Sequence, residues 1–287
     1  RKAKACDPVS IFGGVIAFNR PVDEETAKEL RDIFLEIVIA PSFTAEAKAV
    51  LSSAKRLLNI RLLELDIGQP QTGGYDLRRV RGGLLVQDWD TGKVDVRSCK
   101  VVTKRKPTEE EYQALDFAWR VCRHVKSNTI VFASSDQVLG VGAGQMSRID
   151  STKIAVMRAA THGLDLKGSA VASDAFYPFR DGLDEAANAG AKSVIQPGGS
   201  IKDDEVINAA NEHAAIGVRR GEHRLSEHVG RGGLDVRILE RRPRDGRLVG
   251  ELGNAADLDV RRDGENAVSK LVLEAVHHRQ HDDQRRN

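Results

Sequence analysis

The stretch TIVFASSDQVLGVGAGQMSRIDSTKIAVMRAATHGLDLKGSAVAS, residues 129–173, contains the pattern that decides the fold. The apolar runs TIVFAS and QVLGVG flank the turn residues Ser135 and Asp136, which predicts a β-hairpin. STKIAVMRAATHG predicts a helix, and SAVAS predicts the next strand. Strands and helices that alternate at this short spacing predict a sheet covered on both faces by helices.

The same alternation extends in both directions from this stretch. Upstream, VIAFNR, EIVIAPS and IRLLEL predict strands, and DEETAKELRDIF and TAEAKAVLSSAKRL predict the helices between them. Downstream, LDEAANAG predicts a helix, SVIQ a strand, and the residues after PGGS a further helix. Residues 78–107 contain glycines and predict short strands joined by turns, and this segment ends at Pro107. The expected fold class is therefore α/β.

A long helix is predicted directly after Pro107. Thr108 and Glu111 have the spacing of a capping box. Leu115, Ala118, Cys122 and Val125 then mark one apolar face. We expect this helix to connect two subdomains.

Composition excludes several classes of protein. The chain has 287 residues and a formal net charge of +2, which is too small to predict nucleic-acid binding without a clustered basic patch. It contains no apolar run near the length of a membrane span and no hydrophobic signal region, so neither a membrane partner nor secretion is expected, and the expected location is the cytoplasm. The three cysteines lack the spacing of a disulfide framework or a zinc site, so no metal is expected.

The last 74 residues differ in composition from the rest of the chain. All aromatic residues lie within residues 1–213, whereas residues 214–287 hold 14 Arg against the single Lys270. A packed domain of that size normally uses aromatic area in its core. We hypothesise that this Arg-rich tail is an out-of-frame translation of GC-rich DNA, and a genuine but divergent tail is the alternative.

GVGAGQMSR, residues 140–148, suggests a dinucleotide-binding loop, but Gln145 stands where GxGxxG requires glycine. A nicotinamide-dependent oxidoreductase is therefore the least favoured hypothesis. One alternative is a tight strand-to-helix turn that needs positive φ angles. Another is a loop of free backbone amides at a helix start, with Arg148 placed to meet an anion or a polar ring.

PGGSIKDDEVINAANEH, residues 197–213, predicts a helix with Ser200 as N-cap and Asp203 three residues on. Ile201, Val206, Ile207 and Ala210 are expected on its inward face. Pure capping explains the motif without a ligand. The Gly-Gly pair equally allows a ligand to approach main-chain amides, and both interpretations stay open.

SDAFYPFRDGLD, residues 173–184, combines acids, a base and three aromatic rings at a predicted strand-to-helix junction. Asp174 could cap the following turn, and Phe176 and Phe179 could be core residues. Asp181 could form a surface ion pair with Arg180 or accept from ligand N–H groups in a cleft. Because α/β sheets place binding residues at such junctions, the residues alone indicate a polar and aromatic cleft for a flat nitrogenous ligand.

Seven collinear motifs resemble those of one family, the bifunctional purine-biosynthesis proteins AICAR formyltransferase/IMP cyclohydrolase. AICAR is 5-aminoimidazole-4-carboxamide ribonucleotide. The motifs are CDPVSIFGGVIAFNRPVD (6–23), RGGLLVQDWD (81–90), VVTKRKPTEEE (101–111), HVKSNTIV (124–131), GVGAGQMSRIDSTK (140–153), ASDAFYPFRDGLD (172–184) and VIQPGGSIKDDEVINAANEH (194–213). The resemblance covers residues 1–213 and lies in the formyltransferase part of the family.

The resemblance implies a reaction, a fold and an assembly. The reaction is transfer of a formyl group from the co-substrate 10-formyltetrahydrofolate to AICAR, giving FAICAR in purine biosynthesis, without a metal. The implied fold has two cytidine-deaminase-like α/β/α subdomains, the AICAR transformylase fold, with the first subdomain truncated. The assembly is a homodimer with sites at the subunit interface. The implied domains are residues 1–106 for the first subdomain, 107–213 for the linker helix and second subdomain, and 214–287 for the divergent tail.

Site residues follow from the matching motifs. Asp7, Asn128, Arg148 and Phe176 resemble AICAR-binding residues. Ile149, Asp181, Ser200 and Ile201 resemble folate-binding residues. The amine of AICAR is a poor nucleophile because its lone pair is delocalised, so orientation by hydrogen bonds is expected to supply much of the rate.

One departure from the family concerns the Lys-His dipeptide that transfers the proton and stabilises the oxyanion. It lies upstream of CDPVS in the family, and no Lys-His dipeptide occurs in this sequence. The resemblance therefore predicts an enzyme of the formyltransferase family that is inactive as this chain. The alternative is a non-catalytic nucleotide-binding or dimerisation module.

Overall fold

The protein is described by a computed structural model that covers residues 1–55, 59–66, 73–81, 83–90, 92–219 and 237–240. The chain divides into two compact units. The first comprises Arg1–Thr72 and Thr91–His223, and the second comprises Gly73–Asp90 and Arg224–Asn287. All of the predicted site residues belong to the first unit.

The elements alternate along the chain as the sequence pattern predicts. The helices are α1 (Lys2–Cys6), α2 (Glu24–Leu30), α3 (Ala45–Ser53), α4 (Glu109–Cys122), α5 (Arg148–Thr161), α6 (Asp181–Asn188) and α7 (Asp203–Glu212). The strands are β1 (Gly14–Ala17), β2 (Leu35–Ala40), β3 (Arg61–Glu64), β4 (Tyr75–Val80), β5 (Gly83–Asp88), β6 (Lys100–Val101), β7 (Ile130–Ala133), β8 (Val138–Gly142), β9 (Ala170–Ser173), β10 (Ser193–Gln196), β11 (Ile216–Arg219) and β12 (Arg237–Glu240). The predicted α/β class is confirmed.

The first three strands form a parallel sheet in the order β1-β2-β3. The side chains of Asp23 and Thr44 accept from backbone N–H groups three residues on and so begin α2 and α3. Leu30, Val38 and Leu51 are buried in the core between these helices and the sheet. In such βαβ units each helix returns the chain to the end of the sheet at which the previous strand began, so consecutive strands run parallel.

The second sheet of the first unit has six strands in the order β6-β11-β10-β9-β7-β8. β9, β10 and β11 run parallel, and β7 runs antiparallel to both β8 and β9. The predicted hairpin is confirmed, with Ser134 N donating to Gln137 O at 2.9 Å across its turn.

The two faces of this sheet bury separate cores. Ile130 and Phe132 of β7 face a core shared with α5, α6 and α7, whereas Val131 and Ala133 face a core shared with α4. Successive strand side chains point to opposite faces, which is why the apolar runs are continuous rather than alternating. The result is three layers, with helices on both sides as the sequence predicts.

Helix α4 begins with the predicted capping box. Thr108 Oγ1 accepts from Glu111 N at 3.3 Å, and Glu111 Oε2 accepts from Thr108 N at 2.8 Å. Leu115 and Ala118 are buried on the predicted inward face.

The six-stranded sheet crosses both predicted domain boundaries. Its edge strand β6 precedes residue 107, and β11 follows residue 213 and pairs in parallel with β10. Residues 216–219 form β11 within this sheet, between β6 and β10. The expected divergence from residue 214 onward stays a prediction. The remainder of the predicted tail lies outside the described residues, apart from strand β12.

The described part of the second unit is a three-stranded antiparallel sheet in the order β12-β5-β4. Trp89 N donates to Gly74 O at 2.9 Å beyond the paired ends of β4 and β5. Across the ranges that the structure covers, the helices are all too short or too polar to cross a membrane.

Candidate functional site

Segments that carry predicted site residues meet at one edge of the six-stranded sheet. β8, β9 and β10 point in the same direction, so the loops after them leave the sheet at a common edge. β7 runs the other way, and residues 127–129 before it lie at that edge too. We call this the carboxyl edge. Ligands of α/β sheets commonly bind outside the carboxyl ends of the strands.

Two glycines of β8 allow α5 to pack directly against this strand, and that packing fixes the position of Arg148. A Cβ atom at Gly140 would lie 2.5 Å from Ala155 O, and one at Gly142 would overlap Ser151 O. Only glycine therefore permits this close approach of helix to strand. The Ser147 side chain accepts from Asp150 N at 3.1 Å and begins the helix, which makes Arg148 its first residue.

Two backbone amides of the loop between β8 and α5 donate to carbonyl oxygens of the segment before β7. Gly144 N donates to Lys126 O at 2.7 Å, and Gln145 N donates to Asn128 O at 3.4 Å. The hypothesis of a loop of free amides is therefore wrong at these two positions. The interpretation as a tight turn is supported instead, because Gly144 adopts a φ of 68°.

Asn128 holds this loop through its side chain. Its Nδ2 donates to the carbonyl oxygens of Gln145 at 2.8 Å and Met146 at 3.1 Å. The carbonyl oxygen of Asn128 accepts from Ser151 Oγ at 2.8 Å. Both donor hydrogens of the side chain are thus committed to the protein, so the atom of Asn128 suited to accept from a ligand N–H is Oδ1.

Asp174 binds both residues that flank Asn128. Its Oδ1 accepts from Thr129 N at 2.9 Å, and its Oδ2 accepts from Ser127 Oγ. The same carboxylate lies 3.6 Å from Arg148 Nη2. The interpretation of Asp174 as a cap of the following turn is therefore replaced by a role that joins three segments. Its position at the end of β9 was the only sequence signal for that role.

The side chain of Arg148 lies near two buried residues, Cys122 and Tyr177. It is 15% exposed, and its Nε meets no hydrogen-bond acceptor in the described part of the chain. Burial raises the pKa of the nearby Cys122 to about 12; the Asp174 carboxylate adds to this effect and Arg148 opposes it. Burial likewise raises the pKa of Tyr177. Both groups are neutral at physiological pH, so Asp174 and Arg148 are the charged pair among these residues.

The three aromatic residues after β9 have different environments. Tyr177 is fully buried, and its backbone N–H donates to Gln196 Oε1 at 2.7 Å. Phe176 is half-buried, which suits a ring that lines a cleft. Phe179 is 55% exposed, so the interpretation of this residue as core is wrong.

Asp181 begins α6 at the carboxyl edge. Its exposed carboxylate accepts from Gly182 N at 2.7 Å. Within the described residues Arg180 pairs instead with Asp184 and Glu212, each at 2.7 Å, so the predicted Arg180–Asp181 pair is not formed. A Cβ atom at Gly182 would lie 4.0 Å from Ile149 N, which places Asp181 close to the start of α5.

Ser200 and Ile201 lie in the loop between β10 and α7, and here two predictions are wrong. The helix begins at Asp203, so Lys202 rather than Ser200 is the N-cap residue. The Asp203 carboxylate accepts from Gly199 N at 2.8 Å and from Ser200 N at 3.1 Å. The Ser200 side chain accepts from Lys202 N at 3.0 Å. Ile201 is fully exposed rather than on the inward face of the helix. Both residues nevertheless lie at the carboxyl edge.

Asp7 is the predicted site residue that the chain does not bring to this edge. Its carboxylate lies 3.7 Å from Arg158 Nη1 and 3.5 Å from His162 Nε2, at the far end of α5. Ten helical residues, about 15 Å, separate Arg158 from Arg148. Hydrogen bonds from the backbone N–H of Ser10 lower the pKa of Asp7, so the group is a carboxylate.

Metal binding has no support among the residues with described coordinates, where His, Cys, Asp and Glu side chains form no group of three suited to an ion. The expectation of no metal stays a prediction.

One comparison with known proteins bears on this site. The family model described as AICARFT/IMPCHase bienzyme matches residues 1–158, which is more than half of the chain. The matched range includes Asp7, Asn128, Arg148 and Ile149. The other predicted site residues, Phe176, Asp181, Ser200 and Ile201, follow it in the sequence.

Proposed function

The chain belongs to the AICARFT/IMPCHase bienzyme family of purine biosynthesis, and on that premise we propose that its carboxyl edge binds AICAR and 10-formyltetrahydrofolate for formyl transfer. In this reaction the amine nitrogen of AICAR forms a bond to the formyl carbon. The bond from that carbon to N10 of the folate breaks, and N10 takes up the proton that the amine loses. The products are FAICAR and tetrahydrofolate.

The AICAR end of the proposed site is formed by Asn128, Arg148 and Phe176. Asn128 Oδ1 can accept from an N–H of the base, and the ring of Phe176 offers an apolar face. Arg148 supplies a fixed positive charge from the first turn of α5, where the helix dipole also favours an anion. The single observation that carries the proposal is that the Asn128 side chain holds the loop that leads into Arg148, while Asp174 holds both neighbours of Asn128 and pairs with Arg148.

The folate end is assigned to Ile149, Asp181, Ser200 and Ile201. The carboxylate of Asp181 can accept from the amino and ring N–H groups of a pterin. It is exposed, it forms no pair with Arg180 in the described chain, and it lies near the start of α5. Ile201 adds exposed apolar area at the same edge.

These residues act on the reaction by binding and orientation. The developing oxyanion of the formyl group needs a positive or N–H partner. The family assigns that role and the proton transfer to a Lys-His dipeptide, which the 287 residues do not contain. Holding the weakly nucleophilic amine against the formyl carbon is therefore the contribution proposed for this chain.

We assign Asp7 to the site of a second subunit. Within one chain it lies at the opposite end of α5 from Arg148, so both residues can contact one AICAR only if two chains contribute to each site. This arrangement agrees with the interface site that the resemblance implies.

Isothermal titration of the chain with AICAR, and separately with 10-formyltetrahydrofolate, tests the proposal. Arg148→Ala is expected to weaken AICAR binding by about tenfold or more, because it removes a charge-assisted contact. Asp181→Asn is expected to weaken folate binding and to spare AICAR. Asp204→Asn, an exposed acid in the first turn of α7, is the matched control and should change neither affinity.

The outcomes separate the alternatives. Binding of neither ligand by the wild-type chain would contradict the proposed site. Binding of AICAR without folate would instead favour the non-catalytic nucleotide-binding module.

A further inference from the structure

Asp174 occupies a central position in the proposed AICAR site. Asn128 stands between Ser127 and Thr129, and both of those neighbours donate to the carboxylate of Asp174. The backbone of Asp174 adds a bond from its own N–H to Thr129 O at 3.4 Å. The segment that carries Asn128 is therefore anchored on both sides by one residue.

The same carboxylate acts on Arg148. Its Oδ1 lies 3.6 Å from Arg148 Nη2, and the two side chains are only 18% and 15% exposed. Solvent screening is reduced at such a site, so the pair interacts more strongly than a surface pair. One acid thus constrains two of the residues that the proposed function places against AICAR, Asn128 through its neighbours and Arg148 directly.

We propose that Asp174 is a positioning residue that holds Asn128 and Arg148 in the orientation that binds AICAR. This inference rests on the proposed function and adds to it a residue that contacts neither substrate. The carboxylate is needed because it accepts from two donors and also balances the guanidinium charge. An asparagine in its place keeps the size and one acceptor oxygen, but its amide group repels Arg148 and cannot accept from Ser127.

A double-mutant cycle tests whether Asp174 acts through Arg148. AICAR affinity is measured by calorimetry for the wild type, Asp174→Asn, Arg148→Ala and the double variant. We expect Asp174→Asn to weaken AICAR binding about tenfold in the wild-type background, and less than about threefold once Arg148 is alanine. Folate affinity should stay within about twofold of the wild-type value, a result that a merely structural role would not give.

Three outcomes would overturn the inference. They are an unchanged AICAR affinity in Asp174→Asn, a loss of the same size in both backgrounds, and an equal loss of folate affinity.

A second measurement does not depend on AICAR binding. In ¹⁵N spectra of the ligand-free chain, Asp174→Asn should shift the Asn128 Nδ2 and Arg148 Nε resonances together. The matched control is Asp150→Asn, since Asp150 is an exposed acid of α5 whose carboxylate accepts from Ser147 Oγ at 2.6 Å. Resonances that move no more in Asp174→Asn than in the control would overturn the inference. Absence of AICAR binding by the wild type would overturn the proposed function, and the spectra would still decide the role of Asp174.

Discussion

Arg105 and Glu111 form a two-point ion pair beside the start of α4. Arg105 Nη1 donates to Glu111 Oε2 at 3.1 Å, and Nη2 donates to Oε1 at 2.6 Å. The same guanidinium donates from Nε to Ala214 O at 3.1 Å and from Nη2 to Lys192 O at 3.2 Å. One side chain therefore links the capping box of α4 to the residues that precede β10 and β11.

Arg105→Ala is expected to lower the free energy of unfolding by about 2 kcal/mol, because it removes charge-assisted bonds and leaves the 15%-exposed Glu111 without its cation. Arg61→Ala is the matched control, since Arg61 pairs with Glu36 at 3.1 Å between side chains that are 62% and 48% exposed. That variant should change stability by less than about 1 kcal/mol. Urea denaturation of both variants checks the difference, and equal losses would contradict it.

The same pair predicts how stability depends on pH. Burial acts to raise the pKa of Glu111, but hydrogen bonds from Arg105 and Thr108 outweigh it and lower the pKa below its ordinary 4.5. A carboxyl group with a depressed folded-state pKa contributes stability above its unfolded pKa and loses it as the pH falls through the folded pKa. Wild type should therefore exceed Glu111→Gln in stability at about pH 7, and the gap should close toward about pH 3.

Urea midpoints of the wild type and Glu111→Gln across that pH range measure the effect. A gap that stays constant on acidification would show that the charge of Glu111 is not its cause.

Local patterns in the sequence predicted the elements well. The Thr108–Glu111 capping box and the turn at Ser135 depend on residues a few positions apart, so spacing alone specifies them. The place of residues 216–219 in the six-stranded sheet depends instead on residues that are far apart in the sequence. Composition detects the loss of aromatic residues, but the contacts of Arg105 with Ala214 and of Thr103 with Gly217 join residues more than a hundred positions apart.

The candidate site shows the same limit. Sequence motifs pointed to Asn128, Arg148 and Phe176, and the order of the strands brings their segments to one edge. The role of Asp174 depends on a pairing of β7 with β9, which no local pattern specifies. Similarly, Arg180 forms its ion pair with Asp184, one helical turn away, rather than with its neighbour Asp181, because i and i+4 side chains share a helix face.

Gly142→Ala tests whether close packing of α5 on β8 supports the site. The added methyl group overlaps Ser151 O, so the helix must move, and we expect a loss of about 3 kcal/mol or more. Gly163→Ala is the control at the other end of α5, where φ is 68° but the space is open, so only backbone strain of about 1 kcal/mol applies. Thermal unfolding compares the two variants.

Because α5 carries Arg148, Gly142→Ala should also weaken AICAR binding under conditions in which it remains folded, whereas Gly163→Ala should not. Equal stability losses in the two variants would show that the helix adapts to the methyl group.

Mixing two defective variants tests the assignment of Asp7 to a second subunit. Asp7→Asn and Arg148→Ala should each bind AICAR poorly, because each substitution removes one binding residue from both sites of the homodimer that it forms. In a mixed dimer, however, one site combines an intact Asp7 from one chain with an intact Arg148 from the other. After dissociation and random reassociation of equal amounts, half of the dimers are mixed and each has one intact site of two. About a quarter of the wild-type binding capacity should therefore return. A mixture that stays as inactive as its components, or a wild-type chain that sediments as a monomer while binding AICAR, would place Asp7 outside the site.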